Sequence, residues 1–153
     1  MVASKLHILL ADDDEDDRFF FEMALNASSL RSKLTMVTDG EKLMAYLHDQ
    51  KKLPDVLFLD LNMPKMHGAE CLAEIKKDTR LKGLPVIIQS TASESEVTEK
   101  LYNMGAHYYC KKTGADELQQ LLGFVLPLVS DKKLERPERR GFILVFRDMS
   151  VKA

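Results

Sequence analysis

Residues 55 to 64 read Asp55-Val56-Leu57-Phe58-Leu59-Asp60-Leu61-Asn62-Met63-Pro64. Four consecutive apolar side chains run into a carboxylate, and a proline-terminated stretch follows. An uninterrupted apolar run of this length suits a parallel strand covered on both faces, where the usual in-out alternation disappears. A carboxylate embedded in such a run is costly unless it is paired or bound to a metal, so Asp60 marks a site rather than a filler position.

The same pattern recurs on either side. Leu6 to Ala11, Leu34 to Thr38, Pro85 to Gln89 and His107 to Cys110 are further short runs rich in apolar and β-branched residues. Segments with helical spacing separate them. Glu15 to Ala27 is expected to bury a stripe of Phe19, Phe20, Met23, Ala24 and Ala27, with Asp14 as its N-cap. Glu41 to Asp49, Ala69 to Lys76, Glu94 to Met104 and Asp116 to Val129 supply four more helices. Strand and helix therefore alternate five times, which predicts an α/β fold: a doubly wound five-stranded parallel sheet with helices on both faces. Ligands of such sheets lie beyond the carboxyl ends of the strands, where strand order reverses.

Those ends carry the chemistry. The first strand finishes in Asp12 and Asp13, and the third in Asp60. With the flavodoxin-like strand order 2-1-3-4-5 the three carboxylates share one pocket and repel one another. A hard divalent cation resolves that repulsion, and an all-oxygen donor set suits Mg²⁺ better than a soft metal. The remaining acids, Asp14 to Asp17, read as a solvated helix start stabilised by negative charge. The fourth strand delivers the hydroxyls of Ser90 and Thr91, and the fifth delivers Lys111 and Lys112. Hydroxyl donor, ammonium and metal-carboxylate pocket together are what an anionic phosphoryl group needs.

Composition narrows the partners. The chain has 153 residues and a formal net charge of −2, without the basic excess of a nucleic-acid-binding surface. No apolar run approaches the roughly 18 residues that span a bilayer. Cys71 and Cys110, with no secretory signal at the N-terminus, fit a reducing, cytoplasmic setting as small buried side chains. His7, His48, His67 and His107 are scattered without zinc spacing.

The chain resembles the receiver domains of two-component response regulators, chemotaxis-regulator-like, and in particular the single-domain type found with bacteriophytochrome kinases. The resemblance covers roughly Lys5 to Val129. It rests on Asp12-Asp13, on Asp55 to Pro64 with Gly68, on Pro85-Val-Ile-Ile-Gln-Ser90, and on Gly105-Ala106 followed by Lys112. It implies that Asp60 accepts a phosphoryl group from a sensor histidine kinase or phosphotransfer protein. Asp13 would bind Mg²⁺ directly, Asp12 would help through water, and the backbone carbonyl of Asn62 would complete the protein ligands. Lys112 would pair with the phosphoryl group and Ser90 would hydrogen-bond to it, with Thr91 as the alternative hydroxyl and Lys111 as a stand-in cation. Tyr109 would be the switch aromatic that turns inward, and a downstream protein would read the result. The implied role is a switch in signalling or phosphorelay, not an enzyme.

Two features depart from the family pattern. Lys112 is followed by Thr113 where the family has a proline joined by a cis bond, and a cis bond before a non-proline costs about 3–4 kcal/mol. The loop is therefore expected to be either trans and rearranged or strained. Beyond residue 130, Lys132 to Ala153 holds 7 basic and 3 acidic residues, and its stretch Gly141-Phe-Ile-Leu-Val-Phe146 reads as a strand. This extension is too short for a separate output domain. Its apolar run is expected to pack against protein, at a sheet edge of its own chain or across a homodimer.

Other classes fit less well. A phosphorylation-independent interaction module with the same fold is the alternative, supported by Thr113 and Ser90. A haloacid-dehalogenase-type phosphatase carries a second acid two residues after its nucleophile, where this chain has Asn62. A flavodoxin would place its cofactor phosphate at a first turn that is acidic here.

Overall fold

The structure, a computed structural model, describes residues 5–91 and 95–146. Its elements are β1 (Leu6–Ala11), α1 (Glu15–Asn26), β2 (Ser32–Val37), α2 (Gly40–Asp49), β3 (Val56–Asp60), α3 (Gly68–Lys77), β4 (Val86–Ser90), α4 (Ser95–Asn103), β5 (Tyr108–Lys111), α5 (Ala115–Ser130) and β6 (Ile143–Leu144). Every strand pairing is parallel, and the sheet order is β2-β1-β3-β4-β5-β6. The predicted order of the first five strands holds. The sheet has six strands rather than five because the C-terminal segment adds β6 to the β5 edge.

Sheet faces follow from alternation along buried strands. All five residues of β3 and all five of β4 are buried, as continuous apolar runs require. Phe58 and Ile87 point to one face, where Phe21, Ala24 and Leu25 of α1 meet Leu121, Leu122, Val125 and Leu126 of α5. Leu57, Leu59, Val86 and Ile88 point to the other, under Leu43 and Leu47 of α2, Leu72 and Ile75 of α3, and Leu101 of α4. The predicted stripe of α1 is corrected. Phe19, Phe20, Met23 and Ala27 lie on the exposed side, and Phe21 with Leu25 takes the core face beside Ala24. Phe21 packs edge-on against Phe58 at 5.1 Å between ring centroids, and that contact fixes the rotation of the helix.

Local chemistry sets the helix starts. Asp14 caps α1, its Oδ1 accepting from the Asp17 amide at 2.9 Å, and Asp39 caps α2 through the Lys42 amide at 2.8 Å. Gly68 opens α3 hard against β3. A Cβ there would stand 2.4 Å from the Asp60 carbonyl oxygen, so only glycine lets α3 start so close to the end of that strand.

Candidate functional site

Three strand ends and one loop converge at the carboxyl edge of the sheet. Asp12 follows β1 and is 2% exposed, Asp60 ends β3 and is 6% exposed, while Asp13 faces solvent. One carboxylate oxygen from each of the three lies within 4.8 Å of the others. The β1–β3 register, Ala11 opposite Leu59, produces this meeting.

Lys112 closes the pocket from β5. Its backbone N–H donates to the Ser90 carbonyl at 2.8 Å, which carries the β4–β5 pairing one residue past the strand. Its Nζ then reaches Asp12 Oδ2 at 2.8 Å, Asp17 Oδ2 at 2.8 Å and Asp60 Oδ1 at 3.5 Å. Lys111 is exposed. All described peptide bonds are trans, Lys112–Thr113 included, and the lysine reaches the acids all the same.

Burial dominates the electrostatics. It pushes the Asp60 carboxyl up to about 6, against the pull of Lys112 and with the push of Asp12. Asp12 is raised for the same reason, although the Lys112 ammonium and the Asp14 amide both favour its charged form. At Lys112 burial works against the ammonium, but the hydrogen bonds to Asp12 and Asp17 outweigh it and the pKa stands above the ordinary lysine value. The pocket is thus short of positive charge. A divalent cation fits the donor set, since the three clustered carboxylates offer hard oxygen ligands and the Lys112 ammonium pairs with only two of them, Asp12 and Asp60.

Two residues of this pocket lie outside the expected set. Asp17, read as one of the solvated acids, holds Lys112. Arg18 donates from Nη1 to the Asp12 carbonyl at 3.0 Å and braces the β1–α1 turn. Both lie on the first turn of α1 that faces the sheet, and an acidic run six residues long, Asp12 to Asp17, conceals which of its later members faces inward. Asn62 presents its amide N–H to Asp60 Oδ1 at 3.4 Å. Ser90 is fully buried and hydrogen-bonded to the Tyr109 side chain, whereas Thr91 is exposed. Ala92, the partner of Thr91 in the alternative register, lies outside the described residues.

A cavity of about 450 Å³ extends from Asp12, Asp17 and Lys112 of this pocket to Phe20 of α1 and Leu118 of α5. No described helix is long and apolar enough to cross a membrane.

Comparison with known proteins agrees with this geometry. Residues 8–123 match the model of the response regulator receiver domain. Response regulator Rcp1 of Synechocystis sp. is 32% identical over 123 residues, covering 77% of this chain and 82% of Rcp1. The two-component response regulator ORR13 of Oryza sativa subsp. japonica is 31% identical over 123 residues, covering 80% of this chain and 99% of ORR13. Among solved structures, the phosphorylated cyanobacterial phytochrome response regulator RcpA superposes with a TM-score of 0.77 at 30% identity, covering 84% of this chain and 96% of RcpA. The Mn²⁺-bound form of Rcp1 gives 0.74 at 29%, covering 78% and 93%. The chain belongs to the receiver domain family of two-component response regulators.

Proposed function

We propose that this receiver is a phosphorylation switch in which Asp60 takes a phosphoryl group from a histidine kinase or phosphotransfer protein. The observation that carries the reading is the meeting of Asp12, Asp13 and Asp60 under the Lys112 ammonium. Asp60 Oδ attacks phosphorus, an O–P bond forms, and the P–N bond of the donor's phosphohistidine breaks as the imidazole leaves. Lys112 sits where it can pair with an oxygen of the transferring group. Asp13, Asp12 and Asp60, with the Asn62 carbonyl, would hold Mg²⁺, which when bound neutralises charge on the transferring oxygens. The RcpA and Rcp1 structures support the reading, one described as phosphorylated and the other as Mn²⁺-bound.

The family role supports a switch rather than an enzyme. Ser90, the buried strand-end hydroxyl, turns toward the phosphoryl group, and Tyr109 responds. A downstream protein reads the outcome at the α4–β5 face. The cytoplasm is the compartment where such a kinase would meet it. Residues 131–146 act as an extension of the receiver domain, with β6 paired to its β5 edge. Phosphotransfer from acetyl phosphate tests the proposal: it should require both Mg²⁺ and Asp60, and a chain that stays unmodified with both present would favour the phosphorylation-independent module.

A further inference from the structure

The β5 edge is covered by the chain's own C-terminal segment, and the contacts lead back toward the acceptor. The Arg136 guanidinium lies 4.3 Å from the centre of the Tyr102 ring. Its Nε donates to the Ala106 carbonyl at 3.2 Å and its Nη2 to the Tyr102 carbonyl, where the end of α4 carries partial negative charge. The Tyr102 hydroxyl donates to the Pro137 carbonyl at 3.0 Å, and Arg139 pairs with Glu99 at 3.4 Å. Phe142 is fully buried, 5.2 Å from the Tyr102 ring and 6.4 Å from the Tyr109 ring. Its carbonyl accepts from the Tyr109 amide at 3.0 Å, and β6 continues alongside Tyr109 and Cys110.

Tyr109 links this segment to the site, because Ser90 is hydrogen-bonded to its side chain. Ser90 stands one residue beyond Gln89, the register partner of Asp60. If Ser90 turns toward a phosphoryl group it leaves Tyr109. The ring cannot shift without disturbing Phe142, which is packed against it and bonded to its backbone. The strand holding Phe142 in place is only two residues long, a weak ladder that a competing strand can replace.

We propose that the α4–β5 face is a docking surface for an extended segment carrying an arginine six residues before an aromatic. Residues 136–144 are its resident occupant, and phosphorylation of Asp60 releases them in favour of a partner segment of the same pattern. Main-chain pairing with β5 supplies general affinity, the Tyr102–Tyr109 seat selects the aromatic, and the Tyr102 ring with the Ala106 and Tyr102 carbonyls selects the arginine six residues before it. The inference rests on the reading of Asp60 as acceptor and of Ser90 as the responding hydroxyl.

Hydrogen exchange on the full chain, with and without Mg²⁺ and beryllofluoride as the phosphoryl mimic, tests it. Exchange of residues 142–146 should accelerate at least tenfold on loading. A synthetic peptide of residues 134–146 should bind the loaded chain at least tenfold tighter than the unloaded one. Arg136 is exposed, so Arg136→Ala leaves the core intact and should raise both exchange and peptide binding without beryllofluoride. Unchanged protection of residues 142–146, while amides around Asp60 and Lys112 respond to beryllofluoride, overturns the coupling. No response at those amides refutes the acceptor reading and removes the proposed trigger. Absence of peptide binding to the Arg136→Ala chain overturns the docking surface itself.

Discussion

Lys112 Nζ stands 2.8 Å from Asp17 Oδ2 and 2.8 Å from Asp12 Oδ2, so the first turn of α1 and the end of β5 are tied together across the acceptor pocket. Asp12 is buried and Asp17 half-buried, which makes the first contact the more valuable one. Removing the ammonium leaves buried carboxylates uncompensated. Lys112→Met should therefore destabilise the chain by about 3–5 kcal/mol in the absence of divalent cations, the range expected for one partner lost from a buried pair. Urea denaturation checks this, and millimolar Mg²⁺ should restore part of the loss.

Asp17→Ala should be milder, because this carboxylate is 40% exposed and screened. The expected change in stability is under about 1 kcal/mol. Lys112 would then be freer to follow Asp60, so the rate of modification by a phosphodonor should change more than the stability does. Paired urea and phosphorylation assays on the variant separate the two effects.

The sequence made the first five strands and their order legible because buried parallel strands leave apolar runs that survive without context. The acids at Asp12, Asp13 and Asp60 were legible for the same reason: each terminates or follows such a run. Asp17 was not, since a run of like charges gives no sign of which member faces the sheet. Nor was the exposure of Phe19, Phe20 and Met23. Apolar residues at positions 19, 20, 21, 23, 24 and 25 leave the rotation of α1 undetermined until Phe58 is in place. The strand in the extension was readable from its composition, while its place on its own sheet edge depended on the seat formed by Tyr102 and Tyr109.

Phe142 tests that placement. It is fully buried among α4 and β5, whereas Val145 three residues later is 82% exposed. Phe142→Ala should cost about 3–4 kcal/mol if the ring fills the chain's own core, as large-to-small changes at buried aromatics do. Val145→Ala should be close to neutral. Thermal denaturation of the two variants gives the comparison, and equal effects would contradict the packing.

His107 should confer an acid sensitivity. Burial, with Lys76 and Arg136 nearby, lowers its pKa to about 4, below the 6.5 of an unfolded histidine. Between those values the unfolded chain binds the extra proton, so this residue lowers stability as pH falls from about 6.5 to about 4. His107→Gln should flatten the dependence of Tm on pH in that window relative to wild type. Parallel curves for the two proteins would show that the ring is not held neutral.

The acceptor itself is tested most directly by intact mass after incubation with acetyl phosphate, with and without Mg²⁺, on the wild type and on Asp60→Asn. The account predicts a gain of one phosphoryl group that requires Mg²⁺ and is absent from the variant. An equal gain in Asp60→Asn, or a gain indifferent to Mg²⁺, would contradict it.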